Sequence, residues 1–169
     1  MTLFDYKFHH PVNNFKNINM RGSSTEHEFG SIFIEYFADF SDNKDIAIRE
    51  LPVPGSGIAD FVVIKNAHAN NEKLETRVQS FEFKMKDWRK GLMQAHRYRY
   101  FSNSAILVIP TKTLIIAQKA IELFKLLDVG LWSFDVGSGS IIKKFTPRPQ
   151  KALDKNREGY VLKMVSERP

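Results

Sequence analysis

The sequence "SFEFKMKDWRKGLMQAHRYRYF", residues 80–101, changes character near its middle. Residues 80–85 alternate between polar and apolar side chains, a period of two that is typical of a β-strand with two different faces. The alternation places Glu82 and Lys84 on one face and the phenylalanines on the other. From residue 87 onward the sequence is basic and aromatic, and it predicts a helix with Asp87 as its N-cap. The stretch therefore predicts a strand with an acid–lysine pair, followed at once by a helix.

Upstream, the sequence predicts an amphipathic helix within residues 23–40. Its apolar residues recur at three- and four-residue spacing and form one stripe. The stripe consists of Phe29, Ile32, Phe33, Tyr36, Phe37 and Phe40. Thr25 and Glu28 at the start of the helix resemble a capping box. Residues 1–22 are polar and without periodicity, and they predict an extended N-terminal arm.

Strands alternate with turns and helices in the rest of the chain. Strands are predicted at residues 45–53, 58–65, 77–86, 104–110, 129–136 and 141–147, a loop at 66–76 and a core helix at 111–128. The first three strands follow one another directly, which implies an antiparallel meander, and the later strand–helix–strand order implies parallel pairing. We therefore predict a single α/β domain over residues 1–169, with a mixed central sheet flanked by helices and a peripheral C-terminal segment at 147–169.

The composition excludes several kinds of site. The 169 residues contain no cysteine, which rules out disulfides, thiolate zinc sites and a cysteine nucleophile. A formal net charge of +6 and a pI near 9.5 favour a polyanionic partner. No apolar run reaches the roughly 18 residues of a membrane span, and the N-terminus "MTLFDYKFHH" does not resemble a secretory signal. These features predict a cytoplasmic protein with no membrane association.

Asp60 supplies a second carboxylate near Glu82. It lies near the start of the preceding strand, and in an antiparallel hairpin it comes opposite the end of the third strand. Because adjacent strands are about 4.8 Å apart, both carboxylates can reach one cation. Two carboxylates suit Mg²⁺, which takes its remaining ligands from water and substrate phosphate, and a neighbouring lysine can orient the attacking water. The alternative is a solvated strand face, because acid–x–lysine tripeptides also occur at residues 5–7 and 42–44.

The order of these motifs resembles the PD-(D/E)XK nuclease superfamily. The matching residues are "GIAD" ending at Asp60, "EFK" from Glu82 to Lys84, and "QAHRY" from Gln94 to Tyr98. The last of these is similar to the Gln-x-x-x-Tyr signature of the RecB-like and lambda-exonuclease-like branch. The resemblance covers about residues 24–136 and implies a restriction-endonuclease-like core in the order αβββαβ. Ala59 departs from the pattern, because a proline often precedes the first Asp.

The resemblance implies phosphodiester hydrolysis that depends on Mg²⁺, with Mn²⁺ as a substitute. The groups that it implies at the site are the metal ligands Asp60, Glu82 and the Phe83 carbonyl, and the catalytic Lys84. Many members also carry a glutamate on the first helix that contacts the metal or its water. Glu28 is the candidate for this role, although the capping box with Thr25 competes for it, and Glu35 is the fallback.

The predicted helix after the third strand carries side chains suited to nucleic acid. Gln94 and Tyr98 are four residues apart and therefore project from one face. Lys90 and Arg97 add positive charge around them, which suits contact with a phosphate backbone. We expect these four side chains to bind or orient the substrate. The alternative is an amphipathic helix whose basic side is merely solvated.

Together with the resemblance, these residues predict a divalent-metal-dependent nuclease that acts on DNA, as an endonuclease or an exonuclease. The main alternative is a catalytically inactive nuclease-fold subunit that binds DNA within a larger complex. A third interpretation is an α/β domain with a structural salt bridge between Glu82 and Lys84. Cleavage of both DNA strands by so small a nuclease would need two sites, which favours a homodimer.

Overall fold

The computed structural model describes residues 25–41, 45–66 and 75–166 of the chain. Its strands are β1 (Ile46–Val53), β2 (Gly57–Lys65), β3 (Arg77–Phe83), β4 (Ser104–Pro110), β5 (Val129–Phe134) and β6 (Ile141–Phe145). Its helices are α1 (Glu26–Ala38), α2 (Trp88–Tyr98), α3 (Thr111–Ala117), α4 (Ile121–Leu126) and α5 (Lys155–Ser166), with a 3-10 turn at Gln118–Ala120. The predicted N-terminal arm at residues 1–22 and most of the predicted loop at 66–76 lie outside the described residues.

The strands of the described residues form one sheet in the order β1-β2-β3-β4-β5-β6. β1, β2 and β3 pair antiparallel as a meander. β3, β4 and β5 pair in parallel because a helical connection lies between each two of them, and β6 returns antiparallel after the turn "GSGS". The prediction of an α/β fold with a mixed sheet flanked by helices is confirmed. The finer prediction of a restriction-endonuclease-like core stays a prediction.

Helix α1 covers one face of the sheet through an aromatic layer. The layer joins α1 to β3, with ring centroids 5.2 to 6.2 Å apart, and its rings are those of Phe29, Phe33, Phe37, Phe81 and Phe83. The predicted apolar stripe supplies the helix side of this layer. Its last member is an exception, because Phe40 lies beyond the end of α1 and is 75% exposed. Since the phenylalanines of β3 face α1, Glu82 between them faces the opposite side of the sheet.

The opposite face is covered by α2, α3 and α4, and beside β1 by α5. Trp88 and Leu92 of α2 pack in one buried cluster with Leu107 of β4. Val161 of α5 is fully buried in a second cluster with residues of β1 and β2. The C-terminal segment thus includes a helix, α5, that packs on the β1 side of the sheet. Among the described residues, no helix combines the length and hydrophobicity needed to cross a lipid bilayer.

The prediction of a continuous core helix at residues 111–128 is wrong in two respects. The segment is divided into α3, a 3-10 turn and α4. Leu114, Ala117 and Phe124 are buried against the sheet, but Ile115, Ile116 and Leu126 are exposed to solvent. A helix that packs on a sheet from one side buries only that side, so an apolar residue elsewhere on it stays exposed.

Candidate active site

The pairing of β2 with β3 brings Asp60 and Glu82 to neighbouring positions at one end of the sheet. Phe61 is paired with Phe81, and Asp60 and Glu82 are the next residues in the same register. The carboxylate of Asp60 also accepts a 2.8 Å hydrogen bond from the N–H of Phe83. The two carboxylates that the sequence predicts as metal ligands therefore lie side by side.

Glu82 is 1% exposed, and both of its carboxylate oxygens have a partner. Its Oε1 lies 3.0 Å from the Lys84 ammonium, and its Oε2 lies 2.5 Å from the Tyr98 hydroxyl. Burial and, second, the negative charge of Asp60 raise the pKa of Glu82 to about 7, although Tyr98 and Lys84 act in the opposite direction. Glu82 is therefore a carboxyl group whose ionised form this site disfavours.

The Asp60 carboxyl shows the same behaviour. Burial raises its pKa, an effect that the Phe83 N–H and the Lys84 ammonium reduce but do not cancel. Two adjacent carboxyl groups with raised pKa values are stabilised as carboxylates by any cation that binds between them. A cation that bound between them would therefore compete with protons for these oxygens.

Lys84 lies just beyond the end of β3 and bridges two carboxylates. Its ammonium is 3.0 Å from Glu82 Oε1 and 3.0 Å from Glu26 Oε2. Burial disfavours the ammonium, but Glu82 and Glu26 outweigh burial, so the pKa of Lys84 is raised. Gly91 of α2 leaves room for this side chain, because a Cβ at that position would lie 2.6 Å from Lys84 Cγ. Lys84 is thus held in place as a cation.

Glu26 is a residue of the site that no sequence motif indicated. It is the first residue of α1 and lines the same cleft as Asp60. Its position could have been inferred, since Glu26 precedes Phe29 by three residues and so continues the apolar stripe that faces the sheet.

Glu26, rather than Glu28 or Glu35, is the α1 carboxylate that the structure brings to Lys84. The Glu28 N–H donates a 3.1 Å hydrogen bond to Thr25 Oγ1, which confirms the capping role of Thr25. Glu35 lies more than two turns further along α1, where burial raises its pKa to about 7. Neither Glu28 nor Glu35 lines the cleft, because α1 docks with its first residue toward the end of β3.

The structure places Tyr98 differently from the predicted substrate contact. Its side chain is 1% exposed, and its hydroxyl lies 2.5 Å from Glu82 Oε2 and 2.8 Å from the Ile58 carbonyl. Burial raises the pKa of the Tyr98 phenol far above its usual value, so the hydroxyl keeps its proton and can donate a hydrogen bond. A buried side chain cannot meet a substrate at the surface, and we therefore assign Tyr98 to positioning Glu82.

The other predicted substrate residues lie on the rest of α2. Asp87 caps the helix by accepting a 3.1 Å hydrogen bond from the Lys90 N–H, which confirms the predicted N-cap. The Lys90 and Arg97 side chains are exposed. Gln94 is half-buried, and its Oε1 is buried without a hydrogen-bond partner among the described residues. The substrate roles of these three side chains stay predictions.

An open cleft of about 300 Å³ lies where the first turn of α1 meets β1, β2 and the end of β3. Its lining consists of Glu26, His27, Arg49, Glu50, Asp60 and Phe83. Within the described residues, no group of three or more His, Cys, Asp or Glu side chains is arranged to hold a metal ion. Of the predicted metal ligands, Asp60 and Phe83 line this cleft, whereas Glu82 is buried and both of its carboxylate oxygens have a partner.

The fold and the site define an α/β protein with a carboxylate–lysine cluster at one end of a mixed sheet. No protein-family model matches the chain, and searches of curated proteins and of solved structures find no match. The functional argument therefore depends on the geometry of the cluster and on the sequence motifs that form it.

Proposed function

We propose that this protein is a divalent-metal-dependent nuclease that hydrolyses phosphodiester bonds in DNA. The observation that carries the proposal is the convergence of the buried carboxyls of Asp60 and Glu82 with the ammonium of Lys84. The resemblance of the motif order to the PD-(D/E)XK nucleases supports the same reaction class. The proposed cofactor is Mg²⁺, with Mn²⁺ as a substitute, and the proposed place of action is the cytoplasm.

Asp60, Glu82 and the Phe83 carbonyl would bind the metal. When bound, Mg²⁺ supplies positive charge that polarises the phosphoryl group and lowers the pKa of water. The raised pKa values of Asp60 and Glu82 mean that metal and protons compete for the same oxygens. Tyr98 assists by donating to Glu82 Oε2, which fixes the rotamer of that carboxylate.

Lys84 supplies a fixed positive charge and, within the described part of the chain, one N–H donor that has no partner. An ammonium group has three N–H donors, and Glu82 and Glu26 engage two of them. The third donor is available to hold the attacking water or an oxygen of the phosphoryl group. Because its pKa is raised, Lys84 stays protonated and acts by position and charge rather than as a general base.

The DNA would approach across α2 and the cleft. Lys90 and Arg97 are exposed on α2, and the chain carries a net charge of +6. Phosphate contacts by such side chains position a nucleic acid without reading its sequence. Gln94 is the further proposed substrate contact on this helix, and a homodimer is the proposed state for cleavage of both strands.

Cleavage of linear, circular and single-stranded DNA with Mg²⁺ or Mn²⁺ tests the proposal. Glu82→Gln and Lys84→Met should abolish cleavage, and Asp60→Asn should also abolish Mn²⁺ binding measured by calorimetry. Lys86→Met is the matched control, because Lys86 is an exposed lysine two residues from Lys84. Full activity in the Glu82 or Lys84 variant would show that the site is not catalytic.

A catalytically inactive DNA-binding subunit is the second candidate. The observation in its favour is that each Glu82 oxygen already has a partner and that Lys84 is shared between two carboxylates. Such a network also suits a structural salt bridge with no role in nucleic-acid chemistry. Salt-dependent DNA binding without cleavage of any substrate would favour the inactive subunit. Absence of both DNA and metal binding would favour the structural salt bridge.

A further inference from the structure

We propose that Arg49 is a phosphate-binding residue of the cleft and holds a backbone phosphate of the DNA beside Asp60. The choice of DNA as ligand rests on the proposed function, whereas the anion-binding character of Arg49 follows from its own surroundings. No sequence motif indicated this residue, because a single arginine in a strand is common.

The position of Arg49 is set by both β1 and α1. In the sheet Arg49 is paired with Phe61, the residue next to Asp60. Its Nη1 donates a 2.8 Å hydrogen bond to Ser31 Oγ of α1, and its Nη2 lies 3.4 Å from His27 Nδ1. The guanidinium therefore spans the gap between strand and helix and lines the cleft together with Asp60.

Most donors of this guanidinium are weakly engaged or not engaged. A guanidinium has five N–H donors, and of its contacts only the bond to Ser31 has an ordinary length, since both contacts of Nη2 with His27 are 3.4 to 3.5 Å long. The Nε atom is buried and has no partner among the described residues. Within those residues, no carboxylate forms an ion pair with Arg49, as is also true of Arg89, Arg97 and Arg148, whereas Arg77, Arg99 and Arg157 each have one.

The backbone at Glu50 brings that carboxylate to the same cleft as Arg49. Glu50 has a φ of 50°, a left-handed conformation that is uncommon for a residue other than glycine. The β1–β2 pairing keeps the pairs on both sides of it but omits the pair of Glu50 with Asp60. In a regular strand, consecutive side chains point to opposite faces, but here Arg49 and Glu50 both line the cleft. Glu50 Oε1 lies 3.4 Å from His27 Nδ1 and forms no ion pair with Arg49.

The chemistry of the guanidinium identifies the ligand. A planar guanidinium binds two oxygens of a phosphate at once and remains charged at every physiological pH. A phosphodiester carries a single negative charge, and Arg49 is the one arginine or lysine in the described cleft lining, which also holds the acids Glu26, Glu50 and Asp60. Arg49 would therefore hold the DNA strand so that a phosphate lies within reach of the groups around Asp60.

Binding of a fluorescein-labelled DNA duplex in metal-free buffer tests the inference. Arg49→Ala should weaken binding about tenfold and reduce the slope of log K against log salt by about one. Arg49→Lys keeps the charge but not the planar fork, so its affinity should lie between those of Arg49→Ala and the wild type. Arg77→Ala is the matched control. Arg77 lies at the end of β3 away from Phe83 and the cleft, and its side chain is 51% exposed in its ion pair with Glu75.

A second measurement separates direct contact from an effect on the fold. Duplexes in which one phosphate at a time is replaced by a neutral methylphosphonate are bound by the wild type and by Arg49→Ala. At the position that Arg49 contacts, the replacement should weaken DNA binding by the wild type but leave DNA binding by Arg49→Ala unchanged. This is the non-additivity expected of a direct contact. Equal weakening of both proteins at every position would overturn the inference. Where Arg49→Ala does not fold, as judged by thermal unfolding, Arg49→Lys takes its place in the same comparison.

The outcomes distinguish this inference from the proposed function. If Glu82→Gln retains full cleavage while Arg49→Ala binds DNA less tightly, the nuclease proposal fails and the inference stands. If Arg49→Ala binds and cleaves DNA as well as Arg77→Ala while Glu82→Gln is inactive, only the inference fails. A wild-type protein that binds no DNA at all overturns the inference directly.

Discussion

Replacing Tyr98 with phenylalanine removes one hydroxyl and leaves the buried ring in place. The hydroxyl lies 2.5 Å from Glu82 Oε2 and 2.8 Å from the Ile58 carbonyl. The ring packs against Phe101, with their centroids 5.6 Å apart, and phenylalanine preserves this contact. The substitution therefore removes the hydrogen bond to Glu82 without opening a cavity.

The cost of Tyr98→Phe should depend on the charge of Glu82. A hydrogen bond to a charged group contributes about 2 kcal/mol and one between neutral groups about 1 kcal/mol. Since the pKa of Glu82 is about 7, the variant should lose about 2 kcal/mol of unfolding free energy at about pH 8.5 and about 1 kcal/mol at about pH 5.5.

The sign of the pH dependence follows from proton binding. The Glu82 pKa is raised from 4.5 in the unfolded chain to about 7 in the fold, so the folded state binds more protons between these values. Stability from this group therefore falls as pH rises from 4.5 to about 7 and is level above that. Without the Tyr98 hydroxyl the pKa rises further, and the fall should continue to higher pH.

Urea unfolding of wild type and Tyr98→Phe at the two pH values checks this prediction. Mn²⁺ binding by calorimetry should also weaken in the variant, because protons compete more strongly for Glu82. Tyr100→Phe is the matched control, since Tyr100 is 40% exposed and its ring lies 5.1 Å from the Arg157 guanidinium. An equal loss of stability at both pH values, or unchanged Mn²⁺ affinity, would refute the positioning role of Tyr98.

Three further substitutions, the last with Gly159→Ala as its control, test other parts of the site and the fold. Glu26→Gln removes one partner of Lys84. It should lower kcat about tenfold and lower the free energy of unfolding by less than about 1 kcal/mol. An unchanged kcat would exclude Glu26 from the site. Glu35→Gln should raise the free energy of unfolding by about 1 kcal/mol at about pH 8 and leave it unchanged below about pH 4.5. The reason is that burial raises the pKa of this partly exposed carboxyl, so its ionised form is disfavoured in the fold. Parallel curves of unfolding free energy against pH for the two proteins, measured by urea unfolding, would contradict this. Gly91→Ala should destabilise the protein by about 1 to 3 kcal/mol and reduce cleavage, since its Cβ would meet Lys84 Cγ at 2.6 Å. In contrast, Gly159→Ala in α5 meets nothing within 4 Å and should be neutral or stabilising by up to about 1 kcal/mol; equal effects of the two substitutions in thermal unfolding would argue against the steric explanation.

The local pattern of the sequence was sufficient to predict a mixed sheet and the proximity of Asp60 and Glu82. Alternation in residues 80–85 predicted β3, with Phe81 and Phe83 on the face that packs against α1. The short turn between β1 and β2 and the order of the strands predicted the antiparallel meander. Asp60 and Glu82 could be placed near one another because, in an antiparallel pair of consecutive strands, the start of the first strand lies opposite the end of the second.

The tertiary structure decided which other side chains join that pair. The sequence offered Glu28 and Glu35 as the helix acid, but the docking angle of α1 brings Glu26 to Lys84. The spacing of Gln94 and Tyr98 predicted a shared helix face but not that Tyr98 would point into the protein and reach Glu82.

Glu50 lies at the same cleft as Arg49, although a regular period of two predicts the opposite face for it. A regular strand would separate Arg49 and Glu50 onto opposite faces, but the left-handed backbone at Glu50 brings Glu50 to the cleft as well. Periodicity determines which face of an element is buried, because that depends only on local geometry. The atoms that meet across two elements depend on how those elements dock, and this is set by the packing of the whole core.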